Sequence, residues 1–255
     1  MPLPILLGAA AFLADLAGAD AVKKSIDNAI AKEKLQEAKK RYAADVMRIK
    51  RIGESVCKSM VNLDAKEEEV LGLLGKFKEM MTRVENRPQL LPLGWDNGEF
   101  VKFNRNYIDN VASEIVVSEE SLDTVIDEGE DAVEALNEMK KRESQMNSLS
   151  NRYYVLKRSA DAIQNMLKKM CEGFQTELDN VNDVLNHYSR FNAIDWRDMT
   201  PDHQAAVDNL VMLAGTLHRL CHIDIVDKTD SPNLVNMKVV KEAQAEANEA
   251  LKYFN

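Results

Sequence analysis

The chain contains little of what builds a disulfide scaffold or a thick globular core. Among its 255 residues are three cysteines, ten glycines and six prolines, and aromatic residues make up 6%. An odd number of widely spaced cysteines excludes a disulfide framework and favours a reducing compartment. Scarce aromatic residues beside 29% charged residues suit exposed helices better than a large core.

The chain also lacks an excess of positive charge and a hydrophobic run of membrane-spanning length. A net charge of −9 excludes general affinity for nucleic-acid phosphate and opposes broad adhesion to anionic lipid. The apolar stretch 1–14 is shorter than the roughly 20 residues that span a bilayer. No basic residue precedes Lys23, which is not typical of a secretory signal. We therefore expect a cytoplasmic location.

Motifs of enzymatic chemistry are missing as well. The sequence contains no phosphate loop, nucleophile elbow, zinc-protease helix or glycine-rich dinucleotide turn. His218 and His222 lie one helical turn apart, but a zinc site needs a third and usually a fourth ligand. The candidates for these ligands are Asp224, His187 and His203. We predict no enzyme, cofactor, metal site or small-molecule substrate, and we interpret Cys221 as a small buried hydrophobic residue.

What the chain has in abundance is an apolar residue at every seventh position. Such a repeat is the seam of a left-handed coiled coil, because 3.5 residues per turn keeps one stripe facing a partner. The first run is Leu35, Tyr42, Ile49, Val56, Leu63, Val70, Phe77 and Val84, and the second is Val125, Ala132, Met139, Met146, Tyr153, Ala160, Leu167, Phe174, Val181 and Tyr188.

The two runs predict an all-α fold with a long helix over 20–87 and another over 119–195. Pro88 ends the first helix, and residues 88–118 form the connecting tip. Helices of equal length favour an elongated antiparallel hairpin within one chain, although a parallel dimer has the same heptad signature.

Two shorter helices are predicted within residues 196–255. Thr200-Pro201 and Ser231-Pro232 each combine an N-cap residue with proline at the first helical position. The first of these helices should reach about Cys221 and the second about Tyr253. We expect both to pack near the open end of the hairpin, close to the amino terminus.

The apolar segment 1–19 is the main candidate contact surface. Ala10, Ala14 and Gly18 follow a small-xxx-small spacing, which permits close approach of helices in membranes. The segment therefore predicts a shallow membrane anchor or an assembly seam; the alternative is a helix buried beneath the C-terminal helices. The predicted contact residues are Ile5, Leu6, Leu7, Ala10, Phe12, Leu13, Ala14 and Gly18.

The predicted tip is a second candidate surface. It carries apolar residues where a hairpin should expose polar ones, and an exposed apolar patch indicates an interaction site. The alternative is a local cap over the helix ends. The predicted tip contacts are Leu90, Leu91, Leu93, Trp95, Phe100 and Phe103.

Charge is divided along the chain. Residues 20–60 carry eleven basic residues against six acidic ones, and residues 109–138 carry eleven acidic residues and no basic one. In an antiparallel hairpin these stretches lie at opposite ends, so a staggered assembly of copies would bring them together. Two solvated helix faces are the alternative.

The order of these features resembles a loose group of uncharacterised bacterial helical proteins, through the stretches Ile5–Ala11 and Ile223–Val226. In architecture alone it is also similar to the phage-shock protein A and ESCRT-III family, whose members join an amphipathic N-terminal helix to a long helical hairpin and polymerise on membranes. This second resemblance is one of fold only.

We therefore predict a non-enzymatic scaffold, peripheral at a membrane. Its predicted partners are the membrane surface and either further copies of itself or another helical protein, with no nucleic acid. The alternatives are an α-helical pore-forming protein or toxin component, and a soluble coiled-coil adaptor whose partner occupies the tip.

Overall fold

The computed structural model describes residues 19–88, 132–188, 194–226 and 235–252, without the side chains of 19–29, 31 and 132. This part of the chain is mostly helical, which confirms the all-α class. The elements are α1 (Ala19–Met81), β1 (Val84–Glu85), α2 (Ala132–Tyr188), β2 (Ile194–Asp195), the short 3₁₀ helix η1 (Trp196–Asp198), α3 (Pro201–Cys221) and α4 (Met237–Leu251).

The two long helices follow directly from the heptad pattern. Neither contains proline, so no backbone donor is lost along their length. Seven successive repeat positions on each helix are buried, and this burial offsets the cost of ordering so long an element. They are Leu35, Tyr42, Ile49, Val56, Leu63, Val70 and Phe77 on α1, and Met139, Met146, Tyr153, Ala160, Leu167, Phe174 and Val181 on α2.

Residues 1–54 and 105–151 form one compact unit, and residues 55–104 and 152–255 form a second. In the first unit, the Arg41 guanidinium lies 3.2 Å from the Glu143 carboxylate. One step further along both helices, Arg48 donates a hydrogen bond of 2.6 Å to Asn147. Since residue numbers rise together on the two helices, α1 and α2 run parallel in this unit.

The second unit shows the same direction. Its contacts between α1, or the turn that follows it, and α2 again advance together along the chain. They are Asn62 with Gln164 (3.5 Å), Phe77 with Phe174 (ring centres 5.9 Å apart) and Arg83 with Asn182 (3.0 Å). Beyond the helices, β1 pairs in parallel with β2, with Val84 opposite Ile194 and Glu85 opposite Asp195.

The predicted antiparallel hairpin is therefore wrong. An apolar heptad seam packs in either direction, so the repeat itself does not select one. The prediction rested on equal helix lengths and a connection of about 30 residues. Residues 89–131, which include nearly all of the predicted tip and the predicted start of the second helix, lie outside the described residues.

The first helix ends earlier than predicted, at Met81 rather than near residue 87. A turn through Thr82 and Arg83 leads into β1, and the bond from the Ile194 amide to the Arg83 carbonyl (3.0 Å) begins the pairing with β2. Residues 84 and 85 are thus extended because a distant strand pairs with them, which no local signal before Pro88 could indicate.

The third helix begins and ends where the sequence predicts. The Thr200 hydroxyl accepts from the His203 amide (3.4 Å), Pro201 is the first helical residue, and the helix ends at Cys221. An N-cap followed by proline is a local signature, so it is visible in the sequence.

The fourth helix begins later than predicted. Val235 forms an antiparallel bridge with Val226, which keeps the backbone extended to this point. Asn236 then caps α4 by accepting from the Val239 amide (3.4 Å). The predicted start at Ser231-Pro232 lies outside the described residues.

The C-terminal helices belong to the second unit, together with residues 55–104 and 152–188. Ser159 of α2 contacts Met237 of α4 through its hydroxyl (4.0 Å), and Arg219 of α3 pairs with Glu246 of α4. Within this unit α3 begins beside the carboxyl ends of both long helices. Residues 1–18 lie outside the described residues, so the predicted packing beside the amino terminus stays a prediction.

Candidate functional site

None of the residues predicted to contact membrane or a partner lies in the described part of the chain. This applies to the whole apolar segment, Ile5, Leu6, Leu7, Ala10, Phe12, Leu13, Ala14 and Gly18, and to the tip residues Leu90, Leu91, Leu93, Trp95, Phe100 and Phe103. Both sets stay predictions. Within the described ranges, no helix combines the length and the apolarity that crossing a bilayer demands.

The most organised polar group in the described structure lies where both long helices end. We call it the helix-end junction; all of its members belong to the second unit. It comprises Arg83, Asn86, Arg87, Asn182, Asn186, Tyr188, Asp195, Trp196, Arg197, Thr200, His203 and Asp208.

Arg87 joins the end of the α1 segment to α3 within this junction. Its guanidinium donates to the Asp208 carboxylate (2.7 Å) and lies 5.5 Å from the centre of the Trp196 ring. Only 12% of the Arg87 side chain is exposed, so the pair is shielded more than a surface ion pair. A planar cation stacked on an indole ring suits arginine better than lysine.

Asp195 joins the strands to η1. Its carboxylate accepts from the Arg197 amide (2.9 Å), the Arg197 Nε (3.0 Å) and the Asn86 side-chain amide (2.9 Å). The hydrogen bonds from Arg197 and Asn86 hold the pKa of Asp195 well below its usual range. Asn86 has φ of 56°, a left-handed conformation that asparagine tolerates better than most residues.

The end of α2 is fastened to the start of α3 by Tyr188. The Tyr188 hydroxyl accepts from the Thr200 amide (3.2 Å) and lies 2.7 Å from His203 Nδ1. The two rings meet edge to face, with centres 5.5 Å apart. Arg83 adds a bidentate contact to Asn182 and Asn186 on the last turns of α2.

The arrangement of the junction is suited to holding elements together. Arg87 pairs with Asp208 and Arg197 with Asp195, and Arg83 donates to two asparagines, so the geometry fixes side chains. The sequence interpretation missed this site, treating Arg87-Pro88 only as a helix stop. A cluster of arginine and asparagine residues at a helix end was the available signal, but its partners lie about a hundred positions away.

A second polar group lies between α1, α2 and α3 in the same unit. Burial, together with the neighbouring Asp64 carboxylate, raises the pKa of Glu67 to about 8. Burial also raises the pKa of Cys171 to about 11 and shifts the pKa of Cys221 upward. Both thiols are buried, and a raised pKa disfavours the reactive thiolate. Burial of Cys221 confirms its interpretation as a small hydrophobic residue.

His218 and His222 come together at the carboxyl end of α3. Their ring centres are 4.3 Å apart and the rings are tilted by 37°. Burial, followed by the nearby His222 and Arg219, lowers the pKa of His218. Across the described ranges, three or more histidine, cysteine, aspartate or glutamate side chains do not converge on one metal position.

The charged stretches lie only partly in the described part of the chain. Residues 109–131 of the acidic stretch fall outside it, so the staggered assembly of copies stays a prediction. Its premise, that the two stretches lie at opposite ends, depended on the antiparallel hairpin and is lost with it. Among the described residues, Arg41 of the basic stretch pairs with Glu143.

Comparison of the chain with protein-family models, with curated protein sequences and with solved structures finds no match.

Proposed function

We propose that this protein is a non-enzymatic helical scaffold, peripheral at a membrane in the cytoplasm. In this proposal the apolar segment 1–19 contacts lipid, and the long helical arms bind further copies of the chain or another helical protein. The proposal keeps the function predicted from the sequence and replaces the antiparallel hairpin with the parallel pairing.

The observation that carries the proposal is the burial of the C-terminal helices in the second unit. The alternative to lipid contact was that these helices cover the apolar segment. Contacts between α3 and α4, and of Met237 with Ser159 of α2, already supply part of this burial, which favours lipid contact over that cover. The buried residues are Val207, Leu210, Val211, Leu213, Ala214, Leu217 and Leu220 on α3, and Val240, Ala243, Ala247 and Ala250 on α4.

The buried seam supports the mechanical part of the proposal. Long helices that each bury seven successive repeat positions resist bending better than isolated helices, which are marginal in water. The junction adds side-chain bonds where these helices end. This pair of long helices can hold the apolar segment at the amino end of α1, since residues 1–18 immediately precede Ala19 in the chain.

Lipid contact by this segment would be strong enough for reversible attachment to a membrane. Each buried methylene contributes about 0.8 kcal/mol, so a few leucine and isoleucine side chains suffice for several kcal/mol. The net charge of −9 opposes anionic lipid, which makes the apolar term decisive.

Co-sedimentation with phosphatidylcholine vesicles containing a phosphatidylglycerol fraction tests the proposal. We expect the full chain to sediment with vesicles and the double variant Leu6→Glu/Leu13→Glu to lose at least about tenfold in bound fraction, because carboxylates are costly to bury in lipid.

The matched control is Met47→Glu/Val61→Glu. These two side chains are 59% and 60% exposed on α1, so the control adds the same charge to the chain, outside the segment, without burying it. Equal binding of the full chain and both variants, or equal loss in both variants, would contradict lipid contact by the segment. Release of a trapped dye by the full chain would instead favour the pore-forming alternative.

A further inference from the structure

The contact between Ser159 of α2 and Met237 of α4 carries an inference that is independent of the proposed scaffold. We propose that Met237 is a site of reversible oxidation by hydroperoxides, at which the Ser159 hydroxyl holds the oxygen of the resulting sulfoxide. Oxidation then fastens the start of α4 to α2. Both residues belong to the second unit.

Met237 is open to a small oxidant. The residue is 40% exposed and is the first residue of α4, directly after the cap residue Asn236. Exposed methionine is oxidised to the sulfoxide, a polar side chain that cellular reductases convert back to the thioether. Met237 can therefore be modified and restored while α4 stays folded.

The oxidation step transfers one oxygen atom and needs no group from the protein. A lone pair of the Met237 sulfur attacks the terminal oxygen of the hydroperoxide, and the O–O bond breaks as the S–O bond forms. The proton of the transferred hydroxyl moves to the departing oxygen, which leaves as an alcohol or, from hydrogen peroxide, as water. The sulfur loses two electrons, and the peroxide gains them.

The Ser159 hydroxyl is placed to hold the new oxygen. Ser159 is 6% exposed, and its hydroxyl lies 4.0 Å from the Met237 sulfur. A thioether is a weak acceptor, so this buried donor is poorly satisfied before oxidation, which costs free energy. A sulfoxide oxygen lies one bond length from the sulfur and, turned toward Ser159, comes within the roughly 2.5–3.0 Å of an O–H···O hydrogen bond.

The flexibility and position of Met237 allow this contact to form. Methionine has three rotatable side-chain bonds, so an oxygen added from the solvent side can turn toward the hydroxyl. The sulfoxide oxygen is electron-rich, and the amino end of a helix carries partial positive charge that favours it. Oxidation of methionine ordinarily loosens packing, whereas here it replaces a weak acceptor with a strong one.

Hydrogen exchange of the full chain, followed by mass spectrometry before and after treatment with hydrogen peroxide, tests the proposal. Peptide mapping measures the sulfoxide at each methionine. We expect the amides of the first turns of α4 to exchange about threefold more slowly once Met237 is oxidised, because one hydrogen bond between α4 and α2 is gained. In Ser159→Ala the same oxidation should speed this exchange, since the polar sulfoxide then lacks its donor.

Met212 of α3 is the internal reference for oxidation, because it is 43% exposed. We expect Met237 and Met212 to be oxidised at comparable rates. The matched control variant is Met237→Leu, a swap of similar volume that cannot be oxidised at this position. After the same treatment, its α4 amides should exchange as they did before.

Three results would overturn the proposal. The first is slower exchange in α4 of oxidised Met237→Leu, which would assign the effect to another methionine. The second is the same change on oxidation in Ser159→Ala as in the wild type. The third is an unmodified Met237 in a chain whose Met212 is oxidised. Circular dichroism checks that Ser159→Ala, which removes one hydroxyl, is folded, and the comparison with Met237→Leu does not depend on that variant.

Discussion

At the scale of single residues, the environment of Glu67 shows how helix packing changes a carboxyl group. The side chain lies on α1 within reach of Asp64 on the same helix and of the buried Cys221 on α3. Desolvation penalises its charged form, and the neighbouring carboxylate adds repulsion. The result is a carboxyl that stays protonated near neutral pH, when the same group in an unfolded chain is ionised.

This raised pKa predicts a loss of stability on the alkaline side. The pKa of Glu67 rises from 4.5 to about 8, so between these values the folded protein holds a proton that the unfolded chain has released. The stability that this retained proton contributes is fully present below pH 4.5 and is lost as the pH rises through 8. We expect Glu67→Gln to match the wild type at low pH and to be more stable by about 2 kcal/mol at pH 9, after allowance for solvent screening.

Urea unfolding followed by circular dichroism at the two pH values measures this difference. Glu68→Gln, an exposed carboxyl on the next residue, is the control and should show the same pH dependence as the wild type. A Glu67→Gln variant with an unchanged pH profile would show that the carboxyl is ionised in the folded protein.

At the scale of elements, the sequence predicted the helix boundary that depends on neighbouring residues. It did not predict the features that depend on distant partners, including the direction in which the long helices pack. The start of α3 is visible in Thr200-Pro201 because a cap and its proline act within one turn. The start of α4 was misplaced because Val235 is extended by its bridge with Val226, and the end of α1 because Val84 pairs with Ile194 of a distant strand. No property of residues 231–236 or 82–87 alone reveals those partners.

The direction of the two long helices is the element-scale result with the largest consequence, and cross-linking tests it. We expect Arg41→Cys/Glu143→Cys to be joined in high yield by a short bismaleimide, since these positions face each other in the first unit. The native thiols are buried and should react slowly. Mass spectrometry of the digested monomer band identifies the joined peptides.

The control pair is Arg41→Cys/Lys168→Cys. An antiparallel hairpin folded about residues 88–118 would bring these positions close together. A high cross-linking yield in this pair, with little in Arg41→Cys/Glu143→Cys, would restore the antiparallel arrangement and reject the parallel one.

At the scale of the whole molecule, parallel pairing changes how charge bears on assembly. The expected separation of the basic stretch 20–60 and the acidic stretch 109–138 to opposite ends assumed the antiparallel hairpin. Without that hairpin, complementary charge gives no reason for copies to stack in a staggered way. If the chain assembles, apolar surface is the remaining driving force, and apolar association is not screened by salt.

We accordingly expect the oligomeric state to be unchanged between about 0.05 and 0.5 M NaCl, although the Debye length falls severalfold over this range. Size-exclusion chromatography with light scattering gives the mass directly. The Leu6→Glu/Leu13→Glu variant serves as a comparison, because it removes apolar contact and leaves residues 20–138 intact. Dissociation of a low-salt oligomer at high salt would show that charge holds the copies together.

The sequence by itself determined the helical class, the buried seam and the start of α3, because periodicity and capping act over one or two turns. Only the tertiary structure decided that the long helices run parallel, that α3 begins beside their carboxyl ends, and that Arg87 reaches Trp196 and Asp208. The physical reason is that an apolar heptad stripe is equally buried in either direction. The choice depends on contacts between residues about a hundred positions apart, which leave no mark on local composition.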